Sequence, residues 1–165
     1  MLNVGILGAS GFTGVELLRL CAAHPNFNVT YATGDTQAGT LARSLYPSLS
    51  ANYPNLVFEE FSLEKALQCD VLFLALPHEA SLELVPQLYS KVKLVVDLSA
   101  AYRLKNASLY PKWYGFEHTH PDLIEHAVYG LPEINREQLR SAQLIATPGC
   151  YVTAASLALT PLVAA

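Results

Sequence analysis

Apolar residues follow two rhythms along this chain. Short apolar runs such as Val71–Leu74 and Leu94–Val96 have the length of buried strands. Between such runs, apolar positions recur three and four residues apart, as at Val15, Leu18 and Ala22, the spacing of a helix with one buried face. The pattern predicts strands over 2–7, 27–33, 56–58, 69–77, 93–99 and 143–146. It predicts helices over 12–24, 62–68, 79–89, 135–141 and 153–159, with Pro86 disturbing the third. Alternating strands and helices mean βαβ units, so the expected fold is α/β: a Rossmann-type, doubly wound, mostly parallel sheet with helices on both faces. Residues 110–133, rich in aromatic and polar side chains, are expected to be an irregular excursion over the sheet, with a tight turn at 129–133.

The first strand-to-helix turn carries the first sign of chemistry. It reads Gly8-Ala9-Ser10-Gly11-Phe12-Thr13-Gly14. Glycine lets another group approach the main chain closely. The helix behind the turn offers free N–H groups and the positive end of its dipole, a seat for a pyrophosphate. The spacing G-x-x-G-x-x-G matches the dinucleotide fingerprint loosely, and the alternative is a tight turn without a ligand. Gly8, Ser10, Gly11, Phe12, Thr13 and Gly14 are therefore cofactor-binding candidates. Pro77 and His78 join them, because they follow a buried strand whose C-terminal end is the ligand side of such a sheet. The second strand runs out into Thr33-Gly34-Asp35-Thr36. Small hydroxyls there suit a 2′-phosphate, so Thr33 and Thr36 favour NADP, with Asp35 pulling the other way.

Composition narrows the class. The 165 residues are 52% hydrophobic and 15% charged, the balance of a globular domain with a real core. A net charge of −4 without a basic patch argues against nucleic acid and anionic membrane surfaces. No apolar run has the length of a membrane span, and the N-terminus enters a strand directly, so a cytoplasmic protein is expected. Cys21, Cys69 and Cys150 are an odd, widely spaced set, which is no disulfide framework. Histidines 118, 120 and 126 lack the spacing of a helical metal pair, and no metal is expected.

Cys21 and Cys69 read as packing residues. Cys150 is different: it stands between a strand end and a helix start, behind Pro148-Gly149. Free N–H groups and the helix dipole there favour the thiolate, the nucleophilic form, and can hold an oxyanion. A packing cysteine is the alternative. The strand over 93–99 delivers Asp97, Ser99 and then Arg103 to the same edge. Arg103 is a candidate anion clamp, since a guanidinium pairs bidentately with phosphate; a surface arginine is the alternative. A nucleotide fold with a thiol nucleophile suggests thiolate attack on an activated acyl group, followed by hydride reduction of the thioester.

Five segments resemble one family. They are Gly8–Leu17, Ala75-Leu76-Pro77-His78, Asp97–Arg103, Tyr129-Gly130-Leu131-Pro132-Glu133 and Pro148-Gly149-Cys150-Tyr151. They resemble, in order and across the whole chain, the N-acetyl-gamma-glutamyl-phosphate reductases, relatives of the aspartate-semialdehyde dehydrogenases. The resemblance implies a cytoplasmic arginine-biosynthesis enzyme in which NADPH reduces N-acetyl-glutamyl phosphate to the semialdehyde with release of phosphate. It implies a small-molecule acyl phosphate as partner, a homo-oligomer at full length, Cys150 as the acyl-thioester residue, and Arg103 with Ser99 at the substrate phosphate. An aspartyl or amino-adipyl relative and a non-catalytic dinucleotide-binding module are the alternatives. The family also carries about as much chain again after the cysteine, with a catalytic histidine that none of His24, His78, His118, His120 or His126 matches. The expected organisation is a dinucleotide domain over 1–148 and the start of a catalytic domain over 149–165. Residues 1–165 alone are expected to bind NADP weakly and not to turn over.

Overall fold

A computed structural model describes residues 1–164. The chain opens with β1 (Leu2–Leu7), α1 (Phe12–Ala23) and β2 (Phe27–Ala32), then runs through the short helices α2 (Ala42–Leu45) and α3 (Leu63–Ala66). It continues as β3 (Val71–Leu74), α4 (His78–Leu88), β4 (Leu94–Asp97), α5 (Tyr110–Tyr114), α6 (Pro121–His126) and β5 (Ala127–Tyr129). It closes with α7 (Pro132–Leu139), β6 (Leu144–Ala146) and α8 (Cys150–Val163). The six strands form one sheet, ordered β2-β1-β3-β4-β6-β5, and every pairing is parallel. The expected Rossmann-type sheet is therefore present.

Strand pleating sorts the apolar runs onto two faces. Val4 pairs with Val71 and Gly5 with Leu72, so neighbouring strands send like positions to the same side. Val4, Ile6 and Val71 pack with Leu18 and Cys21 of α1 and with Phe58. Leu7, Leu72 and Leu74 pack on the other face with Leu82, Val85 and Leu88 of α4 and with Tyr102 and Tyr110. Fully buried Leu18 alone is worth about 1.5–3 kcal/mol relative to exposure. α3 starts where its sequence says it should, because the Ser62 hydroxyl accepts the Lys65 N–H and caps it.

Two expectations are corrected. Residues 56–58 are no strand of the sheet; they make only isolated bridges, Leu41 with Val57 and, beside them, Thr33 with Glu59. Residues 110–133 are not an irregular excursion. They hold α5, α6 and the edge strand β5, which pairs with β6 through Ala127, Val128 and Tyr129. Lys105 Nζ holds that edge by donating to the carbonyls of Ile124 and Ala127 at 3.1 and 2.6 Å.

The strand order fixes where a ligand can sit. From β1 the chain steps to β2 on one side and then crosses to β3 on the other. The strand ends Leu7-Gly8 and Leu74-Ala75 diverge at that switch point, where open α/β sheets bind ligands.

Candidate active site

Two clefts open at the C-terminal edge of the sheet. The larger, about 800 Å³, includes Leu7, Gly8, Ser10, Gly11, Thr33, Asp35, Ala75, Leu76 and Pro77 among its walls. The smaller, about 360 Å³, is lined by Thr13, Ala75, Leu76, Leu98, Arg103, Thr147, Pro148 and Cys150. They share Ala75 and Leu76 as lining residues, so the two clefts adjoin over the switch point.

The glycine turn is shaped by close approach. Gly8 has φ +82°, and a Cβ there would strike the carbonyl of Ala75. Gly14 packs the first turn of α1 onto Gly8 and Ala9 and lines neither cleft, so it builds the turn from behind. Gly11 is the N-cap of α1 and carries no capping side chain, and the first turn holds no acidic residue. The first N–H groups of α1 are therefore free of side-chain partners, as an anion seat requires. Ser10 is tied to the wall by its hydroxyl, which donates to Gly34 O at 3.0 Å. The Thr33 hydroxyl is buried and accepts the Gly8 N–H at 2.9 Å, a bond that occupies a lone pair and not its O–H donor. Phe12 is 90% exposed and, with exposed Thr36, lines neither cleft. Pro77 lines the larger cleft. His78 lines neither; its Nδ1 accepts the Ala100 N–H at 3.1 Å, and its ring meets Tyr114 edge-on.

The smaller cleft gathers the candidate chemistry. Cys150 is the first residue of α8, behind the N-cap Gly149, and is exposed. The structure thus starts this helix three residues earlier than its apolar spacing predicts and puts the thiol on its first turn. Cys21 and Cys69 are buried, and burial pushes both thiols up from their ordinary values. Arg103 reaches under the cysteine loop. Its Nε donates to Thr147 O at 2.6 Å and its Nη2 to Leu98 O at 2.8 Å. A Cβ on Gly149 would lie 3.4 Å from Nη1, so the guanidinium also abuts the N-cap. Part of its donor set therefore holds the loop, and the remainder faces the cleft. Ser99 is fully engaged: its hydroxyl donates to Asp97 Oδ2 at 2.8 Å and accepts the Ala101 N–H at 3.0 Å. It is buried and lines neither cleft, so it braces the loop that carries Arg103. Burial raises the Asp97 carboxyl above its ordinary range, against the Ser99 hydrogen bonds and the Arg103 charge, which pull it down.

Several cleft residues were not singled out by the sequence. Ala80, Glu83, Leu84 and Gln87 form one wall from α4. Their spacing of three and four residues was a readable signal, since it puts all of them on one helix face. Glu60 and Phe61 reach the cleft from the loop just ahead of α3, which no local pattern announces.

Comparison with known proteins agrees with this arrangement. Residues 3–142 match the family described as Semialdehyde dehydrogenase, NAD binding domain. The chain belongs to that family. Among curated relatives, the [LysW]-L-2-aminoadipate/[LysW]-L-glutamate phosphate reductase of Sulfurisphaera tokodaii is 49% identical over 165 residues, covering 99% of this chain and 47% of the relative. The N-acetyl-gamma-glutamyl-phosphate reductase of Saccharophagus degradans is 48% identical over 162 residues, covering 98% of this chain and 46% of the relative. That of Methanopyrus kandleri is also 48% identical. The chain spans about half the length of the curated relatives it matches. The NADP-bound aspartate semialdehyde dehydrogenase of Candida albicans shares the fold, with a TM-score of 0.73 at 19% identity, over 99% of this chain and 47% of that one. As a semialdehyde dehydrogenase domain the chain has a nicotinamide dinucleotide as its expected class of cofactor, and the glycine turn fits that group. Among the described residues no helix is long and apolar enough to cross a membrane.

Proposed function

We propose that this chain supplies the cofactor cleft and the nucleophile of an acyl-phosphate reductase, acting on N-acetyl-glutamyl 5-phosphate. The single observation that carries the reading is the meeting of the two clefts at Ala75 and Leu76, with Cys150 and Arg103 lining one and the glycine turn the other. The relatives named as phosphate reductases support it.

In this reading the Cys150 thiolate attacks the acyl carbon, the carbon–oxygen bond to phosphate breaks, and inorganic phosphate leaves with the bond's electron pair. Arg103 faces the leaving phosphate with the donors not spent on Thr147 and Leu98. The free N–H groups at the start of α8 stabilise the oxyanion. The bound dinucleotide supplies hydride to the acyl carbon. Cys150 then departs as thiolate and the semialdehyde is released. The first-turn N–H groups of α1 seat the pyrophosphate. NADPH is the donor expected from Thr33 and Thr36. Of these, the Thr33 hydroxyl is bonded to Gly8, and Thr36 lies outside both clefts.

The domain assignment follows the same reading: residues 1–148 form the dinucleotide domain, and 149–165 begin the catalytic one. Residues 1–165 alone bind the dinucleotide without turning over. The reading carries with it a cytoplasmic homo-oligomer on the arginine branch of amino-acid biosynthesis. The 49% identity to a reductase of aminoadipate and glutamate conjugates makes an amino-adipyl substrate the second reading.

The test is the full-length protein with N-acetyl-glutamyl phosphate and, in parallel, an amino-adipyl phosphate. Phosphate release should match dinucleotide oxidation one for one. Cys150→Ser should lower kcat by a factor of about 10³ or more. Iodoacetamide should label Cys150 before Cys21 and Cys69, and the acyl phosphate should protect it. Full activity in the Cys150→Ser variant would end the thioester reading.

A further inference from the structure

The loop after β4 hangs its main chain on side chains. Ser99, Ala100 and Ala101 are consecutive, and each donates its backbone N–H to a side-chain acceptor. The Ser99 N–H goes to Asp97 Oδ1 at 2.9 Å, the Ala100 N–H to His78 Nδ1 at 3.1 Å and the Ala101 N–H to Ser99 Oγ at 3.0 Å. Asp97 ends β4 and Ser99 belongs to the loop itself, so two of these bonds are local. The third is not: His78 reaches across as the first residue of α4.

That bond leads to the guanidinium. Ala100 is fully buried, so its N–H depends on the imidazole, and a buried N–H without a partner is costly. The Ala100 carbonyl accepts the Arg103 N–H at 3.3 Å, which closes a turn with Arg103 at its end. Ala100 is thus held by His78 on one side and by Arg103 on the other. The imidazole is itself fixed, with its ring centroid 5.7 Å from that of Tyr114, edge-on, and 6.4 Å from that of Phe116. An imidazole that accepts at Nδ1 carries its proton on Nε2, so the acceptor at the δ position is what the loop uses. His78 lines neither cleft.

We infer that His78 is a positioning residue for the acyl-phosphate side of the site: through the Ala100 N–H it sets the turn from which Arg103 meets the leaving phosphate. This moves His78 out of the dinucleotide-binding set expected from the sequence. The inference rests on the proposed function, in which Arg103 faces that phosphate.

The test uses the full-length protein and three variants. His78→Asn keeps an acceptor at the δ position, His78→Gln carries it one carbon further out, and His78→Leu removes it. With N-acetyl-glutamyl phosphate, His78→Leu and His78→Gln should raise KM about tenfold, equivalent to ~1.4 kcal/mol, and weaken inhibition by inorganic phosphate by a similar factor. His78→Asn should recover about threefold or more of that loss. Dinucleotide affinity, followed by cofactor fluorescence, should match the parent in all three. A merely structural histidine would separate neither His78→Asn from His78→Gln nor phosphate from dinucleotide. Should His78→Leu fail to fold, His78→Asn against His78→Gln decides. A parent-like KM in His78→Gln, equal losses in His78→Asn and His78→Gln, or dinucleotide binding that weakens along with KM each overturns the inference and leaves the reductase reading intact. A parent protein that releases no phosphate from the acyl phosphate removes the proposed function and this inference together.

Discussion

A methyl group on Gly14 would press against Gly8 O and lie 2.5 Å from Ala9 Cα, all main-chain atoms that cannot rotate away. Gly14→Ala should therefore destabilise the fold by about 1–3 kcal/mol, the usual cost of overpacking. It should also weaken dinucleotide binding, because the first turn of α1 would shift from its seat. Urea unfolding and cofactor titration check both, and an unaltered midpoint with unaltered binding would contradict the geometry. At this scale the sequence was informative about backbone and poor about side-chain partners. Gly8, Gly11 and Cys150 could be picked out because their neighbours in sequence define the turns they sit in. The fates of Thr33 and Ser99 could not, because their hydroxyls bond to groups the local pattern leaves open: the Gly8 N–H, twenty-five residues away, and the buried Asp97 carboxylate.

Among the elements, the segment from α5 to β5 diverged most from its expectation. β5 spans three residues, too few for a period-two pattern to show. It exists because β6 offers it a parallel edge and Lys105 fastens the carbonyls of Ile124, ahead of it, and of Ala127, its first residue. The helices in front of it are anchored by His118. Its Nε2–H donates to Ala101 O at 2.8 Å, and its Nδ1 accepts the His120 N–H at 3.2 Å. Only the neutral ring makes both bonds. Burial among Tyr102 and Tyr110 pushes the His118 pKa below its ordinary 6.5. The unfolded chain then takes up the proton first, so stability is full above pH 6.5 and declines as pH falls below it. His118→Gln should flatten that decline while costing about 1–3 kcal/mol at neutral pH, from two lost or weakened buried hydrogen bonds. Denaturation midpoints of parent and variant from pH 5 to 8 test the sign; parallel profiles would refute it.

Taken whole, the molecule covers both faces of its sheet but leaves α8 bare. No residue of α8 is buried, and Tyr151, Leu162 and Val163 are 89%, 74% and 82% exposed. An apolar helix of that kind seeks cover. The isolated 165-residue chain should self-associate as its concentration rises, and Leu162→Lys with Val163→Lys should reverse this. Light scattering behind size-exclusion chromatography decides, and a monomer at every concentration would tell against it. The parallel sheet was legible at this scale, because buried parallel strands have to be continuously apolar. The adjacency of the two clefts was not, since it depends on β3 lying beside β1, with Ala75 and Leu76 just past the end of β3 lining both. Arg103 adds a mechanical consequence. One guanidinium grips the carbonyls of Leu98, just past β4, and Thr147, just past β6. The loops after β4 and β6, strands already paired in the sheet, are thereby tied to each other by one side chain. Thr147 stands three residues before Cys150, so the clamp fastens the thiol's loop to the loop that follows β4.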